Sequence, residues 1–210
     1  MKKVYLFLAI VSIGFAGCTT GYRVYVNGFS ETDQPVKENA SFLVSADANS
    51  RNPVMDDRIK NRIEKLLQWE GYYPADANGQ FDYKLTFNSG RNAYRTLEYE
   101  PFYQSHIGFY GGHHSGYSFG YTTYYPYYQI EQTLWLEMKL ITPARPADSK
   151  AEKVLWVGEA MTETGGQDQR IVIDYLLAGC LEYLGQETGK QKSLFIKEDD
   201  PRIILLEPSR

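Results

Sequence analysis

The chain has 210 residues, with 22 Lys and Arg against 26 Asp and Glu and a formal net charge of −4 at pH 7. Lys and Arg do not cluster, so this acidic balance argues against nucleic acid or an anionic bilayer surface as the main partner. A chain of this length can bury a core without disulfides, which agrees with its having only two cysteines, Cys18 and Cys180.

Residues 1–17 have the layout of a secretion signal. Lys2 and Lys3 supply a positive start, residues 4–13 are apolar except for one Ser, and small residues lead into Cys18. The apolar stretch is well short of the roughly twenty residues that cross a bilayer as a helix. We therefore expect residues 1–17 to be cleaved.

The residues before Cys18 resemble the lipobox of bacterial lipoproteins. Ala16, Gly17 and Cys18 match it, while Phe15 stands where Leu is usual. The resemblance implies a diacylglyceryl thioether on Cys18 as the membrane anchor, with no other cofactor; the alternative is an ordinary signal with a coincidental cysteine. Thr19 follows where a membrane-retention signal would place Asp. In a Gram-negative cell this favours the outer membrane, facing the periplasm, whereas a Gram-positive host would change that location.

Residues 18–40 are predicted to be the lipidated N-terminus and a tether, although residues 22–26 are β-prone and could form a first strand. A single domain is expected over residues 41–210, beginning with a strand at 41–46. Helix signals follow, because Asn52 suits the N-cap, Pro53 the first helical position and Gly71 the stop. Five apolar residues share one face of this helix: Met55, Ile59, Ile63, Leu66 and Leu67.

Strict alternation of apolar and polar residues predicts a strand at 81–87 and an antiparallel pair formed by 133–141 and 154–160. A last helix is expected over 168–183, with Ile171 on its apolar stripe and Cys180 as a buried, inert thiol. Asp199 and Asp200 are interpreted as a solvated turn. The tail, residues 195–208, contains the apolar run 203–206 and is either a final edge strand or a segment that packs on a partner. Trp135 and Trp156 are interpreted as core or sheet-face residues.

The order of these elements predicts an α+β fold, a mostly antiparallel sheet with two main helices packed on one face. The chain resembles bacterial envelope lipoproteins of domain-of-unknown-function family 4136. The resemblance lies in the strand from Phe81 and in residues 52–59, 71–72, 132–136 and 153–160. Members of that family commonly carry a Gly- and aromatic-rich insert between the middle strands. The resemblance implies a location and a fold, and no established reaction.

The insert at residues 101–129 differs in composition from the rest of the chain, with eight Tyr, three Phe, five Gly and all three His. Tyr hydroxyls need partners when buried, so we expect an exposed loop or a loose hairpin. It is either a flexible segment without a ligand or a contact surface for a protein or glycan. The candidate contact residues are Tyr110, Tyr117, Tyr121, Tyr124, Tyr125 and Tyr127.

Two chemical alternatives involve the same insert. His106, His113 and His114 could share a metal, although no carboxylate or Cys lies at regular spacing nearby. Residues 116–120 satisfy G-x-S-x-G with Ser118 as the nucleophile, but neither flank suits the strand and helix that this motif requires. The sequence thus favours a non-catalytic envelope protein that binds or supports an assembly, with a hydrolase or a His-based metal protein as the alternatives.

Overall fold

The computed structural model describes residues 20–32, 35–48, 50, 52–75, 79–107, 118–143 and 152–207, and for 104–107 and 118–120 it describes the backbone alone. Within these ranges there are seven strands and three helices. The strands are β1 (Gly21–Ser30), β2 (Ser41–Ala46), β3 (Tyr73–Pro74), β4 (Tyr83–Ile107), β5 (Ser118–Thr142), β6 (Lys153–Thr164) and β7 (Lys192–Lys197). The helices are α1 (Pro53–Trp69), α2 (Gln169–Leu181) and α3 (Pro201–Leu206).

The strands form one sheet in the order β3-β2-β4-β5-β6-β1-β7. β2 pairs in parallel with β3 and β4, and every other neighbouring pair is antiparallel. A parallel pair needs a crossover, which α1 supplies between β2 and β4. The predicted α+β class with a mostly antiparallel sheet is confirmed.

Burial alternates along the central strands and so separates two faces of the sheet. Leu134, Leu136, Met138 and Leu140 of β5 are buried in one core cluster with residues of α1 and α2. We call this side the helix face. The intervening residues of β5 point to the opposite side, the open face, where side chains in the described ranges are half-buried or exposed.

Helix α1 follows its sequence signals closely. The Asn52 side chain accepts a hydrogen bond from the backbone N–H of Met55 at 3.2 Å, and Pro53 occupies the first turn. All five residues of the predicted apolar face are buried, and Gly71 follows the helix with a φ of 90°. A residue with a positive φ cannot continue a right-handed helix. Glycine adopts this conformation without steric cost, so the helix ends before Gly71.

Helix α2 also begins where it was predicted, because the Asp168 side chain accepts from the backbone N–H of Arg170 at 2.9 Å. From Val172 to Cys180 every residue is buried. The assignment of Ile171 to the buried stripe is wrong, since its side chain is 54% exposed. Ile171 lies in the first turn, beside the exposed Arg170, before the helix enters the core.

The tether expected over residues 18–40 contains a strand of the sheet. β1 lies between β6 and β7, and its Val24 and Val26 are fully buried on the helix face. Burial of this alternating pattern and pairing on both edges outweigh the polar composition of the flanking residues. The folded unit therefore starts before residue 41.

The strand interpretation of the tail holds only for residues 195–197, which belong to β7, and it is wrong for the apolar run 203–206, which is helical. β7 forms the edge of the sheet, and α3 then begins at Pro201 with Asp200 as its N-cap. The Asp200 carboxylate accepts from the backbone N–H of Arg202 at 2.9 Å, and Ile203 and Leu206 are buried. None of the helices in the described ranges is long and apolar enough to cross a membrane.

A buried ion pair joins the two main helices. Nη1 of Arg62 in α1 donates to the Asp174 carboxylate in α2, and it also donates to the carbonyl of Arg170 at 2.9 Å. Both residues are less than 9% exposed. Burial, with the nearby charge of Arg58, lowers the pKa of Arg62 to about 10, so the guanidinium remains charged at neutral pH and depends on Asp174 for compensation.

We expect Asp174→Leu to destabilise the protein by about 3–5 kcal/mol, because it leaves a buried guanidinium without a counter-charge. The double variant Arg62→Met with Asp174→Leu should regain most of that loss, since two apolar side chains can pack there without an unpaired charge. Urea unfolding monitored by circular dichroism measures both free energies. Equal losses in the single and double variants would contradict this account.

Candidate binding surfaces of the long hairpin

β4 and β5 form one continuous antiparallel ladder, from the pair Lys84 and Ile141 to the pair Ile107 and Ser118. β2 pairs with β4 only as far as Phe87, and β6 pairs with β5 only from Gln132 onward. Residues 94–107 and 118–131 therefore form a two-stranded extension whose outer edges pair with no described strand. We call this extension the aromatic ribbon; at about 3.3 Å per residue it is on the order of 45 Å long.

Both faces of the aromatic ribbon carry exposed aromatic rings. Tyr125 and Tyr127 continue the open face, whereas Tyr124 and Tyr128 lie on the other side. Among the rings of the aromatic ribbon, that of Tyr103 has the largest exposed fraction, 79%. The exposed large side chains are Tyr94, Leu97, Tyr99, Phe102, Tyr103, Tyr121, Tyr124, Tyr125, Tyr127, Tyr128 and Ile130. No helix layer covers these rings within the described ranges, so they are available for contact.

Cross-strand contacts order part of the aromatic ribbon. The ring centroids of Phe102 and Tyr125 are 5.8 Å apart in an edge-to-face arrangement. Tyr127 lies directly opposite Glu98 in the ladder and donates its hydroxyl proton to that carboxylate at 2.6 Å. This hydrogen bond raises the pKa of Tyr127, so the hydroxyl keeps its proton over the physiological range.

Four of the six predicted contact residues lie on the aromatic ribbon with exposed side chains, namely Tyr121, Tyr124, Tyr125 and Tyr127. Tyr110 and Tyr117 are outside the described residues. The described parts of the insert are paired strands of the hairpin, and the exposed aromatic segment starts before residue 101, at Tyr94. The contact hypothesis thus involves residues on both strands.

The chemical alternatives are only partly covered by the described residues. His113 and His114 lie outside them, and His106 is placed by its backbone alone, opposite Phe119 in the ladder. Among the described residues, no three His, Cys, Asp or Glu are grouped as metal ligands would be. Ser118 is the first residue of β5 and is followed by strand, whereas a nucleophile elbow requires a helix after the serine.

A groove on the open face lies where the aromatic ribbon leaves the sheet. It has a volume of about 410 Å³ and is lined by residues of β4, β5 and β6. Trp135 lies opposite Gly90 in the ladder, and its indole occupies the space that a side chain there would need: a Cβ on Gly90 would come within 2.6 Å of the ring. Tyr94 and Met161 extend the apolar lining. We call this feature the aromatic groove.

Two carboxylates border the aromatic groove. Glu137 of β5 and Glu159 of β6 face each other directly across the ladder. Lys139 Nζ lies 2.6 Å from Glu137 Oε1, and this hydrogen bond raises the pKa of Lys139. Glu159 receives a weaker hydrogen bond from the Asn27 amide at 3.5 Å. The groove therefore combines an aromatic surface with acceptors and a net negative charge.

The two strand tryptophans have different surroundings. Trp156 is buried on the helix face, and its Nε1 donates to the carbonyl of Gln186 at 3.1 Å. Trp135 is a half-buried residue of the open face, which agrees with its interpretation as a sheet-face residue. The groove around Trp135 was not predicted from the sequence. The available signal was Gly90, since a glycine inside a strand often marks a close approach to the backbone.

Cys180 lies in the core, away from both candidate surfaces. It is fully buried in α2, and burial raises the pKa of its thiol. Its Sγ would be 2.7 Å from a Cβ placed on Gly158 of β6, which shows how closely helix and sheet pack here. The prediction of a buried thiol is confirmed.

No family model matches this chain, and no curated protein matches it. Among solved structures it is similar to a PDZ domain protein from Parabacteroides distasonis, with 18% identity and a TM-score of 0.44 over 89% of this chain and 42% of that one. It is also similar to the PelC dodecamer from Paraburkholderia phytofirmans, with 14% identity and a TM-score of 0.43 over 78% and 98% of the two chains. The chain spans less than half of the first of these proteins. Scores this low support no conclusion about function.

We expect the Cys180 thiol to be unreactive in the folded protein, because it is both inaccessible and protonated. In a Cys18→Ala variant, where Cys180 is the sole thiol, Ellman's reagent should release no colour under native conditions and one equivalent in 6 M guanidinium chloride. Rapid reaction in the native state would show that α2 opens readily from the sheet.

Proposed function

We propose that this chain is a non-catalytic, lipid-anchored envelope protein that binds a protein or glycan partner through the aromatic ribbon. The observation that carries the proposal is the density of exposed aromatic side chains on an extension with no helix layer in the described ranges. Exposed apolar patches of this kind mark interaction sites, because leaving them in water is unfavourable. Tyr is well suited to such contacts, since it presents a rigid, amphipathic surface.

The architecture of the aromatic ribbon supports the same proposal. A two-stranded hairpin is only marginally stable in water, and unpaired strand edges are templates for pairing with another chain. Here both outer edges are unpaired within the described strands. A partner that covers the rings or pairs with an edge would stabilise the extension, which makes binding the simplest explanation of its length.

The charge of the aromatic ribbon limits the class of partner. Its described charged residues are Arg95, Glu98, Glu100 and Glu131, and Glu98 is already hydrogen-bonded to Tyr127. A surface that is weakly acidic and rich in Tyr does not attract polyanions. We therefore propose a protein or a neutral glycan as the partner, and no nucleic acid.

The anchor in this proposal is a covalent lipid on Cys18, after removal of residues 1–17, with no other cofactor. Support comes from the resemblance of residues 15–18 to a lipobox and from Thr19 in the next position. We propose the periplasmic side of the outer membrane as the location. Membership of domain-of-unknown-function family 4136 belongs to the same proposal and rests on the short segments shared with it.

We expect cells that express the protein to incorporate labelled palmitate into it, because the lipobox cysteine receives acyl chains. Cys18→Ala should abolish incorporation, whereas Cys180→Ala should leave it unchanged, since that thiol is buried. Immunoprecipitation followed by fluorography measures both. Palmitate incorporation that persists in Cys18→Ala would overturn the anchor assignment.

The ladder register allows the aromatic ribbon to be removed without disturbing the sheet. Thr96 and Gln129 face each other, so residues 97–128 can be replaced by an Asn-Gly turn, which closes a two-residue hairpin. We expect the shortened protein to unfold with an unchanged midpoint, because the removed residues do not contribute to the described core. Crosslinking in intact envelopes is expected to give a partner band with the full-length chain and none with the shortened protein.

A matched control distinguishes loss of the contact surface from a general loss of surface aromatics. Tyr124→Thr with Tyr125→Thr should weaken partner crosslinking, because both rings are exposed on the aromatic ribbon. Phe29→Thr with Phe195→Thr removes two rings of similar exposure from the sheet itself and should leave crosslinking intact. If the Phe29 and Phe195 variant lost crosslinking while the Tyr124 and Tyr125 variant kept it, the contact would lie on the sheet and not on the aromatic ribbon.

A further inference from the structure

The aromatic groove contains a local conflict that the fold does not require. Like charges that face each other directly on antiparallel strands are destabilising, yet Glu137 and Glu159 occupy such a pair. Lys139 neutralises only one of them. If this part of the sheet had no function, a neutral residue in place of Glu159 would make it more stable. Unfavourable local arrangements of this kind are concentrated at functional sites.

Gly90 provides a second, independent observation at the same position. Glycine in a strand interior costs conformational entropy, and here its missing side chain leaves the space that the indole of Trp135 occupies. Any larger residue would displace the ring from the sheet. The glycine thus sets the position of Trp135, with Tyr94 and Met161 beside it and Glu137 and Glu159 along the same groove.

We propose that the aromatic groove binds a sugar ring of a neutral or amine-bearing oligosaccharide. The apolar C–H face of such a ring would stack on Trp135, and its hydroxyl or amine groups would donate hydrogen bonds to Glu137 and Glu159. The Asn92 amide, which also lines the groove, can donate as well as accept. This proposal does not depend on the aromatic ribbon, since all the groups named except Tyr94 lie outside it.

The volume and the charge of the aromatic groove favour this class of ligand. The groove's volume of about 410 Å³ lies within the range of small-molecule sites, and its position on the sheet surface allows a chain to pass through it. A purely apolar ligand would desolvate the carboxylates without replacing their hydrogen bonds. An anionic ligand, such as a phosphate or uronate, would be repelled by Glu159, which accepts a hydrogen bond from the uncharged Asn27 amide.

The three tryptophans of the chain make the test direct, because Trp69 is exposed on α1 and Trp156 is buried in the core. The lipidated protein in detergent micelles is titrated with trimers of glucose, N-acetylglucosamine, glucosamine and galacturonic acid. We expect a saturable change in tryptophan fluorescence with at least one of the first three, confirmed by calorimetry, and none with the galacturonate trimer.

Variants assign the response to the groove. Trp135→Ala should lower affinity at least tenfold and abolish the fluorescence change, while Trp69→Phe should leave both unchanged. Should Trp135→Ala fail to unfold cooperatively, Asn92→Ala and Glu159→Ala must each weaken binding severalfold. No binding of the three favoured trimers, equal binding of the galacturonate trimer, or affinity retained in these groove variants would each overturn the proposal.

Discussion

The antiparallel ladder between β4 and β5 is the interaction on which the rest of the structure depends. Its inner part, around Leu85 and Leu140, supplies the centre of the core, since β4 links the sheet to β2 and β5 links it to β6. Its outer part continues in the same register as the aromatic ribbon. Because direct neighbours in a ladder share a face, this register also decides which side chains meet on the open face.

The helix layer divides the ladder into two chemical environments. Where α1 and α2 cover the sheet, Leu134, Leu136 and Met138 are buried, and the helices are joined by the Arg62–Asp174 pair. In the aromatic ribbon, no helix covers the strands within the described ranges, and both faces carry exposed rings. The same strands therefore act as core in one part and as an available surface in the other.

Two candidate surfaces meet at the position where these environments change. The aromatic groove contains Trp135, held over Gly90, and the facing carboxylates Glu137 and Glu159. The aromatic ribbon starts at Tyr94, which also lines the groove. A sugar in the groove would lie on the side of the sheet opposite the helices, next to the start of the aromatic ribbon, whose rings are exposed on both faces.

Local signals in the sequence were sufficient for the α+β class, for both main helices, with Asn52 as the cap of the first, and for the hairpin of β5 and β6. Caps and apolar periodicity act over a few residues. Asp200 and Pro201 are also a local start signal for α3, which the interpretation of Asp199 and Asp200 as a turn does not include. Only the tertiary structure decided that β1 enters the sheet between β6 and β7, since strand pairing joins residues far apart in the chain. The groove is non-local for the same reason: Gly90, Trp135 and Glu159 lie on three strands and come together only through the register of the ladder.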